Sequence, residues 1–262
     1  MGIVKSIKEF IRAEIGLWPA MELRNLATMS LALPGLTLFE NQEVARLRSQ
    51  LGVIPAARIA CIIPTFKRPE RLLRAVRSIL AQDCQEFVIM VIDDGGGLPD
   101  LPNDPRIFPV SLSRNCGVAG LVRNVGIRLC DSEFIAFLDD DNIWKPQHLT
   151  LAIRGLGGGA DLIYTAVQRL KSDGSQLDIL SKPFDRRRFS NESAWVDTNA
   201  IVLRRSKCPL FSRLPRTRKT LPGEDWELVW RISRRHRVEH VEAVTVEYLV
   251  NPASYYTPWL EP

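Results

Sequence analysis

No stretch of this 262-residue sequence approaches the ~20 consecutive apolar residues that a membrane-spanning helix requires. The first residues lack the continuous apolar stretch of a secretory signal. Cysteine is sparse. Cys61, Cys84, Cys116, Cys130 and Cys208 are scattered, odd in number and form no Cys-x-x-Cys pair. This excludes a zinc site of the usual spacing and a disulfide frame, and implies reduced, mostly buried thiols in a cytoplasmic protein. There is also no basic stretch interleaved with aromatic residues and no nucleic-acid-binding motif, so nucleic acid is not an expected partner.

What is present is an ordinary globular composition, 45% hydrophobic and 25% charged, on a chain long enough for one large domain with an appendage. The net charge of +5 is uneven. From Lys182 to Lys219 there are eleven Lys and Arg against three Asp and Glu, a local +8, which leaves 24 against 27 elsewhere. Such a patch suits a phosphorylated substrate or an anionic surface.

The most distinctive stretch is Phe137-Leu138-Asp139-Asp140-Asp141-Asn142, an apolar run that ends in three adjacent carboxylates. Adjacent carboxylates repel, so a folded chain that keeps them together needs a compensating cation. Two Asp spaced by one residue put their carboxylates on the same side of a strand end, where a hard divalent cation can take them. A solvated acidic turn is the alternative.

Residues 3 to 15 place Ile3, Val4, Ile7, Phe10 and Ile11 at helical spacing, with Gly16 and Pro19 as stops. A second short helix is expected from Glu40 to Leu51, before Gly52. Residues 1–55 therefore read as a helical extension packed on the main domain, on a second copy, or on a membrane surface. From Arg58 the texture becomes strand and helix in alternation. Strands are expected at Ile59–Ile63, Phe87–Ile92, Ile107–Leu112 and Phe134–Leu138, and helices at Arg71–Leu80 and Val118–Leu129. That alternation predicts an α/β fold with a mostly parallel sheet, helices on both faces and a site at the carboxyl ends of the strands. The polar clusters Pro64-Thr65-Phe66-Lys67-Arg68, Asp93-Asp94-Gly95 and Asp139-Asp140-Asp141 all fall at such ends. Further on, a strand at Asp161–Val167, a hairpin turn at Lys171–Ser175, a strand at Trp195–Leu203, a helix at Asp225–Arg235 and a strand at Val241–Leu249 are expected.

In this order and spacing, Ile62-Ile63-Pro64-Thr65-Phe66-Lys67-Arg68-Pro69, Val91-Ile92-Asp93-Asp94-Gly95, Asn115-Cys116-Gly117 through Arg123-Asn124-Val125-Gly126-Ile127, Phe137-Leu138-Asp139-Asp140-Asp141 and Gly223-Glu224-Asp225-Trp226 resemble the family 2 inverting glycosyltransferases. The resemblance covers about residues 57 to 236. It implies the GT-A nucleotide-sugar-binding fold over residues 56–250, with residues 251–262 as a tail.

The resemblance also implies roles. Asp141, with Asp139, would hold Mn2+ or Mg2+, a Lewis acid for the departing diphosphate. Asp139 and Asp140 would face the metal and the ribose. Asp94 would meet the base edge, Pro64, Thr65 and Phe66 would flank the base, and Arg68 and Arg123 would lie on the nucleotide-sugar side. An Asp-Gly turn for Asp94 and an exposed helix face for Arg123 are the plain alternatives. Asp225 would be the general base of a single inverting displacement, with Glu224, Trp226 and Asp197 on the acceptor side. A dipole-favoured, inert Glu-Asp pair at a helix start is the competing reading. The stretch Arg204–Pro222 is expected as a mobile loop over diphosphate or acceptor, or as a plain solvated loop. The implied partners are a UDP- or dTDP-sugar donor and a hydroxyl-bearing acceptor: a glycan, a lipid-linked sugar or a small natural product. Two rival functions are a nucleotidyltransferase, disfavoured because Pro-Thr-Phe-Lys-Arg-Pro replaces a Gly-rich phosphate loop after the first strand, and a silent nucleotide-sugar-binding protein.

Overall fold

The near-continuous apolar runs become strands buried on both faces. In the computed structural model, which describes residues 16–192, 195–216 and 220–250, β1 (Ile59–Thr65) is buried at every position but Pro64, and β2 (Phe87–Asp93) at every position. β1 pairs in parallel with β2 on one side and with β4 (Phe134–Phe137) on the other; β3 (Ile107–Ser111) extends the parallel set beyond β2. Helix α3 (Pro69–Leu80) buries Leu72, Ala75, Val76 and Ile79, and α4 (Ala119–Leu129) is buried along most of its length. Gly126 in α4 lets the helix lie against β1, since a Cβ there would meet Ile62 Cγ2 at 2.7 Å.

Beyond β4 the sheet is mixed rather than parallel. β8 (Ile201–Arg204) runs antiparallel to β4 and to β6 (Leu162–Leu170), and β7 (Gln176–Leu180) is the hairpin partner of β6 across the Lys171–Ser175 turn. β9 (Val238–Leu249) lies parallel to β6 and antiparallel to the short β5 (Asn142–Trp144). The order is β3-β2-β1-β4-β8-β6-β9-β5 in a nine-stranded sheet, with β7 on β6. The parallel half is the part built from alternating strands and helices, as the sequence pattern predicts. The other half uses hairpins and half-buried strands.

Several boundaries differ from expectation. The helix foreseen at Glu40–Leu51 begins at Leu33 (α2, Leu33–Leu51), and an unforeseen helix, α1 (Leu17–Met29), precedes it. Pro19 and Pro34 do not stop these helices because both sit in a first turn, where the missing N–H would have no intrahelical acceptor anyway. The strand foreseen at Trp195–Leu203 is shortened: Asp197 accepts from the Asn199 N–H and caps a 3-10 turn at Thr198–Ala200. Helix α5 (His148–Gly157) follows β5, a three-residue strand that the sequence pattern did not suggest, and the short helix α6 (Arg186–Phe189) lies beyond β7. The amphipathic segment 3–15 lies outside the described residues.

The helices α1 and α2 are held to the rest of the chain through buried charge. Glu40, fully buried, pairs with Arg128 at 2.9 Å and with Arg213 through two contacts of 2.6 Å, and accepts from Asn124. Breaking one partner of such a buried set costs about 3–5 kcal/mol, because the others are left uncompensated.

Candidate active site

Strand ends bring the polar clusters to one edge. Past β2, Asp93 makes the turn, its two oxygens accepting the N–H groups of Gly96 and Gly97 at 2.9 Å each. Gly95 has φ 73°, and a Cβ there would lie 2.6 Å from the Arg114 carbonyl carbon. Only glycine allows the chain to pass so close, and this aims Asp94 at the next loop. Asp94 Oδ1 accepts from Cys116 N at 2.8 Å; Oδ2 accepts from Gly117 N at 3.0 Å and Asn115 Nδ2 at 2.8 Å. Asp94 is thus more than a turn residue. It anchors the 115–117 loop and retains acceptor capacity, since a carboxylate has about four lone-pair sites.

Past β4 the three carboxylates part company. Asp139 accepts from Arg123 Nη2 at 2.5 Å and from Asn199 Nδ2 at 3.3 Å, and its backbone N–H donates to Asn199 Oδ1. Asp140 accepts from the Thr65 hydroxyl at 2.7 Å and from Arg68 at 3.0 Å. Asp141 meets Arg68 at 2.9 Å and Arg71 at 3.6 Å. Arginines therefore offset the repulsion that the sequence exposes. They do so incompletely: burial, then Asp139 and Asp140, push the Asp141 carboxyl up to about 6.

Among the described residues no three His, Cys, Asp or Glu side chains converge as an all-protein metal cage. The available donor set is carboxylate oxygen at the mouth of a cleft. That suits a hard cation that takes one or two carboxylates and completes its shell with phosphate and water.

Arg123 joins the two ends of the site. It is 4% exposed, donates to Asp139 and, through Nη1 at 3.0 Å, to Glu224. Burial opposes its charge, but Asp139 and Glu224 outweigh that and hold the guanidinium firmly protonated. The exposed-helix alternative for Arg123 is excluded. Glu224 opens helix α7 (Glu224–Ile232), so Asp225 stands in its first turn, where the dipole favours a carboxylate. Yet burial, then Glu224 and Asp197, raise the Asp225 carboxyl to about 7. Asp197 is similarly raised to about 6, by burial and Asp139.

Trp226, expected on the acceptor side, is instead in the core. It is 1% exposed, stacks on Phe189 and Trp230 at 5.6 and 5.5 Å, and donates its indole N–H to the Phe189 carbonyl.

In the described part of the basic stretch, Arg204 pairs with Glu133, Arg205 with Asp131, Arg213 with Glu40 and Arg216 with Glu22. Arg213 and Arg216 tie the stretch to helices α2 and α1, so it is not a plain solvated loop.

One cleft of about 530 Å³ is lined by Pro64, Thr65, Phe66, Arg68, Asp94, Arg123, Asp139, Asp140, Asp141 and Glu224, which brings together nearly every sequence-predicted residue. Asp225 and Asp197 are not in its lining. The sequence reading did not single out Asn115, Asn199 or Tyr248, whereas Ser212, Leu214, Arg216 and Thr220 belong to the Arg204–Pro222 stretch expected over diphosphate or acceptor, which reaches the cleft. Asn115 lay inside a quoted motif, and Asn199 and Tyr248 carry no local signal. Gly120 belongs here too: a Cβ would meet the Ser212 carbonyl oxygen at 2.5 Å, so glycine admits the loop over the start of α4.

A sequence model of glycosyl transferase family 2 matches residues 60–207, more than half of the chain. The chain belongs to that family. The chain is 34% identical over 168 residues to the succinoglycan biosynthesis protein ExoW of Rhizobium meliloti, covering 61% of this chain and 49% of ExoW. It is 29% identical over 130 residues to ExoO of the same organism, covering 47% and 37%. The chain thus spans about half or less of the length of these relatives. Its fold is that of S. aureus TarS residues 1–349, with a TM-score of 0.58 at 16% identity over 73% of this chain and 60% of that one. A TarS structure with UDP-GlcNAc gives the same TM-score at 15% identity, over 76% and 60%. No helix among the described residues is long and apolar enough to cross a membrane.

Proposed function

We propose that this glycosyltransferase moves a sugar from a UDP- or dTDP-sugar to a saccharide hydroxyl, with inversion at the anomeric carbon. The observation that carries the reading is the single cleft, in which Phe66, Asp94, the strand-end carboxylates and Glu224 share one space. Support for a uridine donor comes from the fold shared with TarS, which has been solved with UDP-GlcNAc. Support for a saccharide acceptor, free or lipid-linked, comes from two relatives named for succinoglycan biosynthesis.

In this reading Phe66, 38% exposed, stacks on the base, and Asp94 accepts from its edge. Asp141, with Asp139, would hold Mn2+ or Mg2+, which when bound neutralises charge growing on the diphosphate. Asp225 takes the acceptor proton. Glu224 is the poorer base, because its carboxylate is already engaged by the Arg123 guanidinium at 3.0 Å. Asp225, raised to about 7, is matched to proton transfer near neutral pH.

The test is a melting-temperature panel of nucleotide sugars with and without Mn2+, followed by release of nucleoside diphosphate. Stabilisation by a UDP- or dTDP-sugar together with turnover supports the reading. Stabilisation without turnover makes the protein a silent binder, and no stabilisation by any donor overturns it.

A further inference from the structure

Asp140 and Asp141 share one guanidinium nitrogen. Arg68 Nη1 lies 3.0 Å from Asp140 Oδ1 and 2.9 Å from Asp141 Oδ2. The other Asp140 oxygen is taken by the Thr65 hydroxyl at 2.7 Å, and Arg71 approaches the same Asp141 oxygen at 3.6 Å. Arg68 lies three residues past the end of β1 and is the N-cap residue of α3, so its Cα is fixed while its long side chain can turn. That side chain is 45% exposed at the cleft, and its Nε and Nη2 groups have no protein acceptor among the described residues.

A divalent cation and this guanidinium cannot occupy the same carboxylate oxygens. Each is positive, and each needs the lone pairs that the other uses. A guanidinium displaced from a carboxylate finds an equally good planar partner in phosphate. We propose that Arg68 is an exchangeable counter-cation of the Asp140–Asp141 pair. Without nucleotide it competes with the divalent cation; with nucleotide it turns onto the diphosphate and yields the carboxylates. The inference rests on the nucleotide-sugar reading above and deepens it. Its consequence is reciprocal: nucleotide tightens metal binding, and metal tightens nucleotide binding by the same factor.

The test is Mn2+ binding to the full chain, followed by electron paramagnetic resonance, with and without UDP. Wild-type protein should bind Mn2+ alone weakly and about tenfold or more tightly with saturating UDP, within the usual range of coupling between sites. Arg68→Gln should bind Mn2+ alone about tenfold more tightly than wild type and lose most of the response to UDP. Arg68→Lys keeps the charge, so its affinity for Mn2+ alone should stay near wild type, while UDP binding weakens for want of the planar fork. Equal Mn2+ affinity in wild type and Arg68→Gln overturns the proposal, and so does no detectable Mn2+ binding by either protein. An Arg68→Lys variant that binds Mn2+ as tightly as Arg68→Gln also overturns it. Failure of the donor reading looks different: UDP, dTDP and GDP then have no effect on any of the proteins, while the comparison with Mn2+ alone still reads.

Discussion

Glu22 on α1 grips Arg216 with both carboxylate oxygens, at 2.8 and 2.7 Å, across 194 residues of sequence. Arg216 in turn donates to the Pro222 carbonyl at 2.6 Å, two residues before Glu224, and its side chain is 6% exposed. The residues on either side of the family match, 60–207, therefore meet each other where the loop enters α7. Helix α1 thus braces the segment that leads to Glu224, on the lining of the cleft.

Because this pair is buried, Glu22→Gln and Arg216→Gln should each destabilise by about 3–5 kcal/mol. A double-mutant cycle by denaturant unfolding should give a coupling energy of about 1–3 kcal/mol. Additive losses would mean that the pair carries no coupling.

Asp94 collects three donors from the 115–117 loop. Asp94→Ala strands two backbone N–H groups and an amide, each left unpaired at a cost of about 1–3 kcal/mol. UDP affinity by calorimetry should fall at least tenfold, since the variant loses both the loop and the base-edge acceptor. Unchanged affinity would remove Asp94 from the nucleotide site.

Asp225 predicts a pH profile as well as a rate. Its carboxyl must be ionised to accept a proton, so turnover should rise with pH through about 7. The stability effect has the opposite sense. Between the ordinary Asp value of 3.8 and about 7, the folded chain holds a proton that the unfolded chain has released. Folding free energy therefore weakens as pH rises across that window, and the penalty is full above it. Asp225→Asn should lose about 10²–10⁴ in turnover, keep donor binding, and be more stable than wild type at pH 8 but not at pH 4. Urea denaturation at the two pH values checks the second half. Equal stability differences at both would contradict the raised carboxyl.

Trp226→Ala should behave as a core truncation, losing about 3–5 kcal/mol of stability. Trp226→Phe, which keeps the stack on Phe189, should retain activity. Loss of activity by a folded Trp226→Phe variant would return Trp226 to the acceptor side.

The parallel half of the sheet and its strand-end clusters were legible because β1, β2 and β4 are buried on both faces and read as unbroken apolar runs. Motifs at a strand end or a helix start are local, so Asp94, Asp139 and Glu224 could be found one stretch at a time. The mixed half was less legible. β9 is half-buried along most of its length, and β5 has three residues, too few for any period to register. Asn199 escaped notice because its role is a contact with Asp139, 60 residues away. The ion pairs of the basic stretch were illegible for the same reason: charge along a sequence does not reveal that Glu22 and Glu40 wait on distant helices. Trp226 was assigned by adjacency to Asp225, yet consecutive residues on a helix point in different directions.

The central claim is one cleft, one base and a single displacement, and the most direct measurement is the configuration of the transferred sugar. Proton NMR of the product formed from an α-linked UDP-sugar, on an acceptor or on water and read before mutarotation, should show the β anomer. An α product would contradict the account, because one base acting in a single in-line displacement can only invert the anomeric centre.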